Sequence, residues 1–271
     1  MFAGNAVRKS HELSREEWES AKEASEWLAC VLDIGLYLLQ CGAEIYRVED
    51  SMQRIARAYG AQETEALATV YSIVVTIYSP EYGYLTQSRR VKKISNNLHA
   101  VSELNDLSRR ICIHPLPPAE VKAELHWILG KPGYPWYVVA AGYAIAAAAF
   151  SLFFSGTGEE AILSGVIGAV MAFVERLLDK SGINRLFVVF GSSFAAGILI
   201  AGLGQLLPDI SMRKVVLGDI MPLIPGLLFT NSIRDMFMYN IASGSIRLCE
   251  AIFISFAIAF GFNIAFALLG I

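Results

Sequence analysis

At 271 residues, 55% of them hydrophobic and only 17% charged, the chain is too apolar for an ordinary soluble domain, which averages about 45 to 50% apolar and about 25% charged. The residues up to Tyr134 hold 15 of the 22 Lys and Arg and 17 of the 25 Asp and Glu, so a water-compatible half precedes an apolar one. The net charge of −3 averages two solvents and says little about partners; a nucleic-acid partner is not expected.

The opening stretch Met1 to Ala29 is highly charged and lacks the apolar core of a signal peptide, which points to a cytoplasmic first half. From Ser14 the sequence predicts a long helix. Ser14 is its N-cap, Glu17 stands at the capping-box position, and Trp27, Val31, Ile34, Leu38 and Leu39 recur at helical spacing until Gly42 stops it. A second helix is predicted from about Glu44 to Tyr59, with Ile45, Val48, Met52, Ile55 and Tyr59 as one apolar stripe and Gly60 as C-cap. Its opposite face pairs Glu44 with Arg47 and Asp50 with Arg54, the pattern of a solvated, salt-bridged surface.

Beyond Gly60 the period changes. Leu67 to Ser79 alternates as a strand, Pro80 to Tyr84 is turn-like, and LTQSRRVKKI can pair back to make a β-hairpin. Arg89, Arg90, Lys92 and Lys93 on that strand guard an exposed edge against aggregation or, alternatively, face lipid headgroups. Two helices follow, Leu98 to Cys112 and Ala119 to Leu129, divided by a proline-rich break at His114 to Pro118. The run Lys131 to Tyr137 combines Gly and Pro breakers with interface-type Tyr134, Trp136 and Tyr137 and marks a boundary.

The expected architecture is mainly α: a cytoplasmic α+β domain over 1–134, helices with a β-hairpin, and a transmembrane domain over 135–271. Five spans are predicted, at about 136–154, 161–178, 186–207, 213–230 and 248–271, since a crossing takes about 20 apolar residues. Small residues at four-residue spacing, such as Ala161, Gly165 and Ala169 or Ser193, Gly197 and Ala201, are packing features. Arg176, Lys180, Arg185, Arg234 and Arg247 fall in the connections expected inside and Arg213 and Lys214 outside, which predicts an inner N-terminus and an outer C-terminus.

The fourth span is the unusual one. Val215 to Asp235 carries Asp219 within an apolar run and two prolines, Pro222 and Pro225, so it reads as a broken helix lining a substrate path. Asp219 could titrate in a proton-coupled transporter; the alternative is an interfacial Asp that snorkels outward. Pro222 and Pro225-Gly226 would free carbonyl oxygens to coordinate a solute, or merely kink the helix. Within Thr230 to Asp235, Asn231, Arg234 and Asp235 fall on one side of a helical turn, where a guanidinium suits a substrate carboxylate and a carboxylate suits an ammonium group. A cytoplasmic cap with an internal ion pair is the alternative. Arg247 and Glu250, three apart at the inner mouth of the last helix, read as an interfacial pair, with a binding role as the alternative.

No Walker loop, G-x-G-x-x-G, H-E-x-x-H or G-x-S-x-G occurs, so no enzyme is expected. His11, His99, His114 and His126 are dispersed, and Cys30, Cys41, Cys112 and Cys249 lack metal-type spacing, so neither a metal nor a cofactor is expected.

Two stretches, CGAEIYRVEDSMQRIARAYG from Cys41 and IPGLLFTNSIRDMFMYNIASGSIRLCEA from Ile224, resemble the signature segments of the threonine/serine exporter family, and LNDLSRRI from Leu104 is similar to a third. The resemblance covers nearly the whole chain and matches the larger subunit of the split form of that family. It implies export of threonine and serine, or of dicarboxylates such as succinate, a multi-pass place in the inner cell membrane, and a small membrane-only partner subunit. It also admits a homo-oligomer. By the motif match, Glu44, Arg47, Glu49 and Asp50, and Pro225, Gly226, Thr230, Asn231, Arg234, Asp235 and Glu250, are carried over as family positions. Tyr239-Asn240 departs from a Gly-acid pair common in the family. The expected function is therefore a subunit of a gradient-driven exporter of small carboxylate metabolites. Its rivals are a membrane-tethered hydrolase, disfavoured because no nucleophile and base set is present, and a scaffold subunit whose partner holds the pore.

Overall fold

A computed structural model describes residues 15–80, 83–92 and 94–270. The cap expected at Ser14 with Glu17 lies outside the described residues and side chains. The chain forms two compact units, Met1–Lys131 with Met238–Asn240, and Pro132–Phe237 with Ile241–Ile271.

In the first unit, helices α1 (Arg15–Gln40) and α2 (Ile45–Ala58) precede an antiparallel sheet of β1 (Glu63–Ala68), β2 (Ser72–Ser79) and β3 (Gly83–Arg90), followed by α3 (Leu98–Ile113) and α4 (Pro118–Gly130). The apolar stripe of α2 is buried at Ile45, Val48, Met52 and Ile55, and the central strand alternates, sending Ile73, Val75 and Ile77 into the same core. Gly42 and Gly60 end α1 and α2 at φ +97° and +95°, conformations that L side chains rarely adopt. Tyr59 stacks on Trp27 at 5.4 Å and donates its hydroxyl to the Leu116 carbonyl at 2.6 Å; burial pushes its pKa up to about 12.

The expected single strand Leu67 to Ser79 is in fact two. Thr69 Oγ1 accepts from the Ser72 amide at 3.0 Å while the Thr69 amide donates to the Ser72 carbonyl at 2.8 Å, which closes a tight turn and converts the hairpin into three strands. On the edge strand β3, Arg89 donates to Asp33 of α1 at 3.0 Å, so this basic residue holds a helix rather than guarding the edge.

The second unit comprises α5 (Trp136–Phe153), α6 (Gly158–Asp179), α7 (Arg185–Leu206), α8 (Met212–Ile220), α9 (Gly226–Phe237) and α10 (Ile241–Leu269). Four of these, α5, α6, α7 and α10, are long and apolar enough to cross a membrane. Thr157 and Glu160 close a reciprocal capping box at the start of α6, and the Asn184 side chain caps α7. The small residues work as close-contact points: a Cβ on Gly168 would lie 2.9 Å from both Ala147 Cβ and the Tyr143 carbonyl, and one on Gly197 would lie 2.6 Å from Ala265 Cβ.

The predicted span 213–230 is not one helix. The chain turns from Met221 to Pro225, where Pro222 and Pro225 cannot donate, and leaves α8 with 9 residues and α9 with 12. At 1.5 Å per residue these are about 14 and 18 Å long, and neither alone covers a hydrocarbon core of about 30 Å. The last helix starts at Ile241 rather than near 248 and runs for 29 residues. Its first turns contain buried Ser243, Gly244 and Arg247, polar positions that pack against α9 and so escape a hydropathy reading.

Candidate functional site

The membrane unit buries two sets of ionisable groups at its broken segment. The first is built around Asp219. On α8, a Cβ at Gly218 would sit 2.5 Å from Ser164 Oγ, 2.6 Å from the Ala147 carbonyl and 3.0 Å from Ser151 Cβ, so only glycine lets α8 seat in the seam between α5 and α6. That seating carries Asp219 to full burial. Its Oδ1 accepts from Ser164 Oγ at 3.0 Å, while Oδ2, like Ser151 Oγ, has no hydrogen-bond partner among the described residues. The carboxyl is turned into the bundle, not outward.

Glu160 fixes the entry to this seam. It is buried, accepts from the Thr157 amide at 2.6 Å and the Ser211 amide at 2.9 Å, and lies 3.4 Å from Lys214 Nζ. One carboxylate thus caps α6 and pins the N-terminal end of α8. Basic-residue counting sets Lys214 only in an outer connection; the T-x-x-E spacing from Thr157 is the signal that marks Glu160 as a cap. Elsewhere between α5 and α6, the Tyr143 hydroxyl donates to Glu175 at 2.8 Å, a pair that no sequence motif marks.

The second set joins α9 to α10. A Cβ on Gly244 would meet the Ser232 carbonyl at 2.7 Å and the Met236 amide at 3.0 Å, so the two helices touch backbone to backbone there. Arg247 Nη1 donates to Asp235 Oδ2 at 2.9 Å, and both side chains are buried, 3% and 1% exposed. Two expectations are corrected. Arg247 lies within α10 and pairs with Asp235 rather than with Glu250, which is exposed. The second concerns surroundings: Asn231, Arg234 and Asp235 lie within an arc of about 100° of α9, yet Arg234 is exposed, Asn231 half-buried and Asp235 buried, so they do not meet one environment.

The remaining segment positions serve the backbone. Pro222 is half-buried in the turn, the Pro225 carbonyl accepts from the Phe229 amide at 3.0 Å to begin α9, and exposed Thr230 donates its hydroxyl to the Gly226 carbonyl at 3.0 Å. A cavity of about 430 Å³ lies between α7, α8 and α10, lined mainly by Ile200, Ala201, Met212, Val216 and Phe266. In the first unit, Glu49 accepts from the Ala68 amide at 2.8 Å, Asp50 pairs with Arg54 at 2.9 Å, and Arg47 lies 3.6 Å from Glu44. Among the described residues no group of three or more His, Cys, Asp or Glu side chains converges as a metal site would.

Comparison with known proteins gives this geometry its setting. The family model described as "Putative threonine/serine exporter" matches residues 29–269, nearly the whole chain and both units. The chain belongs to the threonine/serine exporter family. Within it, the "Probable succinate transporter subunit YjjP" of Escherichia coli (strain K12) is 26% identical over 243 residues, covering 89% of this chain and 93% of the relative. The protein of the same name in Klebsiella aerogenes is equally similar. The "Probable threonine/serine exporter" of Mycobacterium tuberculosis is 25% identical over 242 residues, 87% of this chain but 45% of that relative, so the chain spans under half of that longer exporter. No solved structure matches. Family membership and four apolar helices of spanning length make the chain a multi-pass membrane protein of an exporter family.

Proposed function

We propose that the chain is one subunit of a secondary-active exporter of small hydrophilic carboxylates, either threonine and serine or a dicarboxylate such as succinate, driven by a proton gradient across the inner cell membrane. Residues 1–134 form its cytoplasmic domain and 135–271 its membrane domain. The broken pair α8 and α9 makes a fifth, interrupted crossing, with the C-terminus outside. A small membrane-only subunit completes the transporter, in keeping with the word subunit in the names of the succinate-transporter relatives.

The observation that carries this reading is Asp219. An acid buried between α5, α6 and α8, with a single serine donor on one oxygen and its helix broken one residue later, is costly as mere scaffold. Intramembrane acids of this kind line ion and substrate pathways and relay protons in pumps and transporters, and half-helices that meet near the midplane frame the binding sites of many secondary transporters.

A second reading, in which the chain is a scaffold and the partner forms the pore, is favoured only by the relatives' subunit naming. Vesicles loaded with L-threonine, L-serine or succinate and carrying the chain with its partner subunit, the partner alone or the chain alone separate the two. The exporter reading expects pH-gradient-driven efflux that needs this chain. Efflux from the partner alone at the full rate contradicts it.

A further inference from the structure

We propose that the Nε and Nη2 edge of Arg247 is a carboxylate-binding site, with Asp235 as the positioning residue that holds the guanidinium in place; this rests on the exporter reading and assigns the substrate carboxylate to a residue of its own.

The argument begins with an unequal use of one side chain. Arginine offers five N–H donors in a rigid plane. Arg247 spends only Nη1, on Asp235 at 2.9 Å, while Nε and Nη2 are buried and have no hydrogen-bond partner among the described residues. Nε–H and the adjacent Nη2–H point the same way and form the fork that matches the two oxygens of a carboxylate in a bidentate pair. The ion pair therefore occupies one corner of the cation and leaves its best carboxylate-recognising edge unspent. Buried donors of a charged group cost stability unless something accepts from them, so the edge calls for an acceptor, and an anion of carboxylate geometry is the one that satisfies both donors together.

The surrounding fold keeps this edge in place. The backbone contact at Gly244 locks α10 onto α9 one turn before Arg247, and Asp235, on the facing helix, fixes the torsions of the guanidinium. Arg234, the cation that the sequence favoured, lies exposed on another face of α9. Neither Asp219 nor any other ionisable side chain besides Asp235 is needed for this recognition step, so binding and proton coupling are separable.

The test uses the full chain with its partner subunit, purified in detergent, and reads thermal stabilisation by L-threonine and by succinate against the carboxylate-free probes threoninol and succinamide. The wild type is expected to be stabilised by at least one carboxylate and not by its counterpart. Arg247→Lys keeps the charge and the Asp235 partner but loses the fork, and its Kd for the carboxylate is expected to rise about tenfold, the worth of one charge-assisted hydrogen bond. The swap of Asp235→Arg with Arg247→Asp keeps an ion pair and is expected to fold without binding. Should neither variant accumulate, the neutral pair Asp235→Asn with Arg247→Gln, which leaves no buried charge unpaired, decides: carboxylate-dependent stabilisation is lost under the proposal, and its persistence overturns it. Wild-type Kd in Arg247→Lys, binding restored by the swap, or no carboxylate effect on the wild type, as when water alone satisfies the edge, also overturns it. Because the readout is binding, a wild type that binds carboxylates yet exports none refutes the exporter reading and leaves the site standing, whereas efflux untouched by Arg247→Lys does the reverse.

Discussion

The charged face of α2 and the helix contacts of the membrane unit use the same kinds of residue to opposite effect. On α2, Arg47 with Glu44 and Asp50 with Arg54 are neighbours along one helix, with Arg47 and Arg54 two-thirds exposed. Such pairs form in water, which screens them, and each contributes about 0 to 1 kcal/mol. In the membrane unit, Asp235 meets Arg247 and Asp219 meets Ser164 across different helices, at burial that leaves almost no water to share the charge. There the energetic weight lies in the cost of breaking a contact rather than in the gain of making it. Ion pairs read from i,i+3 and i,i+4 spacing are therefore the cheap ones, and the contacts that cost most to break are made between helices.

Four substitutions probe that contrast. Asp235→Ala strands the Arg247 guanidinium in the α9 and α10 contact and is expected to destabilise the membrane unit by about 3 to 5 kcal/mol, read as loss of detergent-extracted folded protein. Gly218→Val drives a side chain into Ser164, Ala147 and Ser151 and is expected to cost about 1 to 3 kcal/mol, lowering the melting temperature even though the substitution is apolar. Glu49→Ala removes the acceptor of the Ala68 amide and unties α2 from β1, with an expected cost of about 1 to 3 kcal/mol measured by unfolding. Asp50→Ala, one position away, loses only an exposed pair with Arg54 and is expected to change stability by under about 1 kcal/mol. A larger loss from Asp50→Ala than from Asp235→Ala would overturn the contrast.

Much of the fold was legible in the sequence because its signals are local. The apolar stripe of α2, the breakers between α3 and α4, and the long apolar runs of α5, α6 and α7 are each visible within one element. The break after Ile220 was legible too, since Pro222 and Pro225 act on their own backbone. What escaped depended on the partner across a contact. The start of α10 was read some seven residues late because Ser243, Gly244 and Arg247 look polar until α9 covers them. The third strand was missed because a Thr69 side chain, acting as a turn former, interrupts a run of strand-forming residues. Asp219 stood out alone, but Ser164 lay between members of a small-residue stripe and carried no mark of its own. The Arg247 and Asp235 pair, 12 residues apart across a turn between helices, had no periodicity to betray it.

The central claim is that Asp219 couples carboxylate export to the proton gradient. It is tested most directly by Asp219→Asn in vesicles that contain the chain and its partner subunit, with efflux followed as the imposed pH gradient is varied. Asparagine keeps the size of the side chain and can still bond to Ser164, so the variant is expected to reach the membrane at wild-type levels while its efflux no longer responds to the gradient. Efflux at the wild-type rate with an unchanged response to pH would contradict the claim.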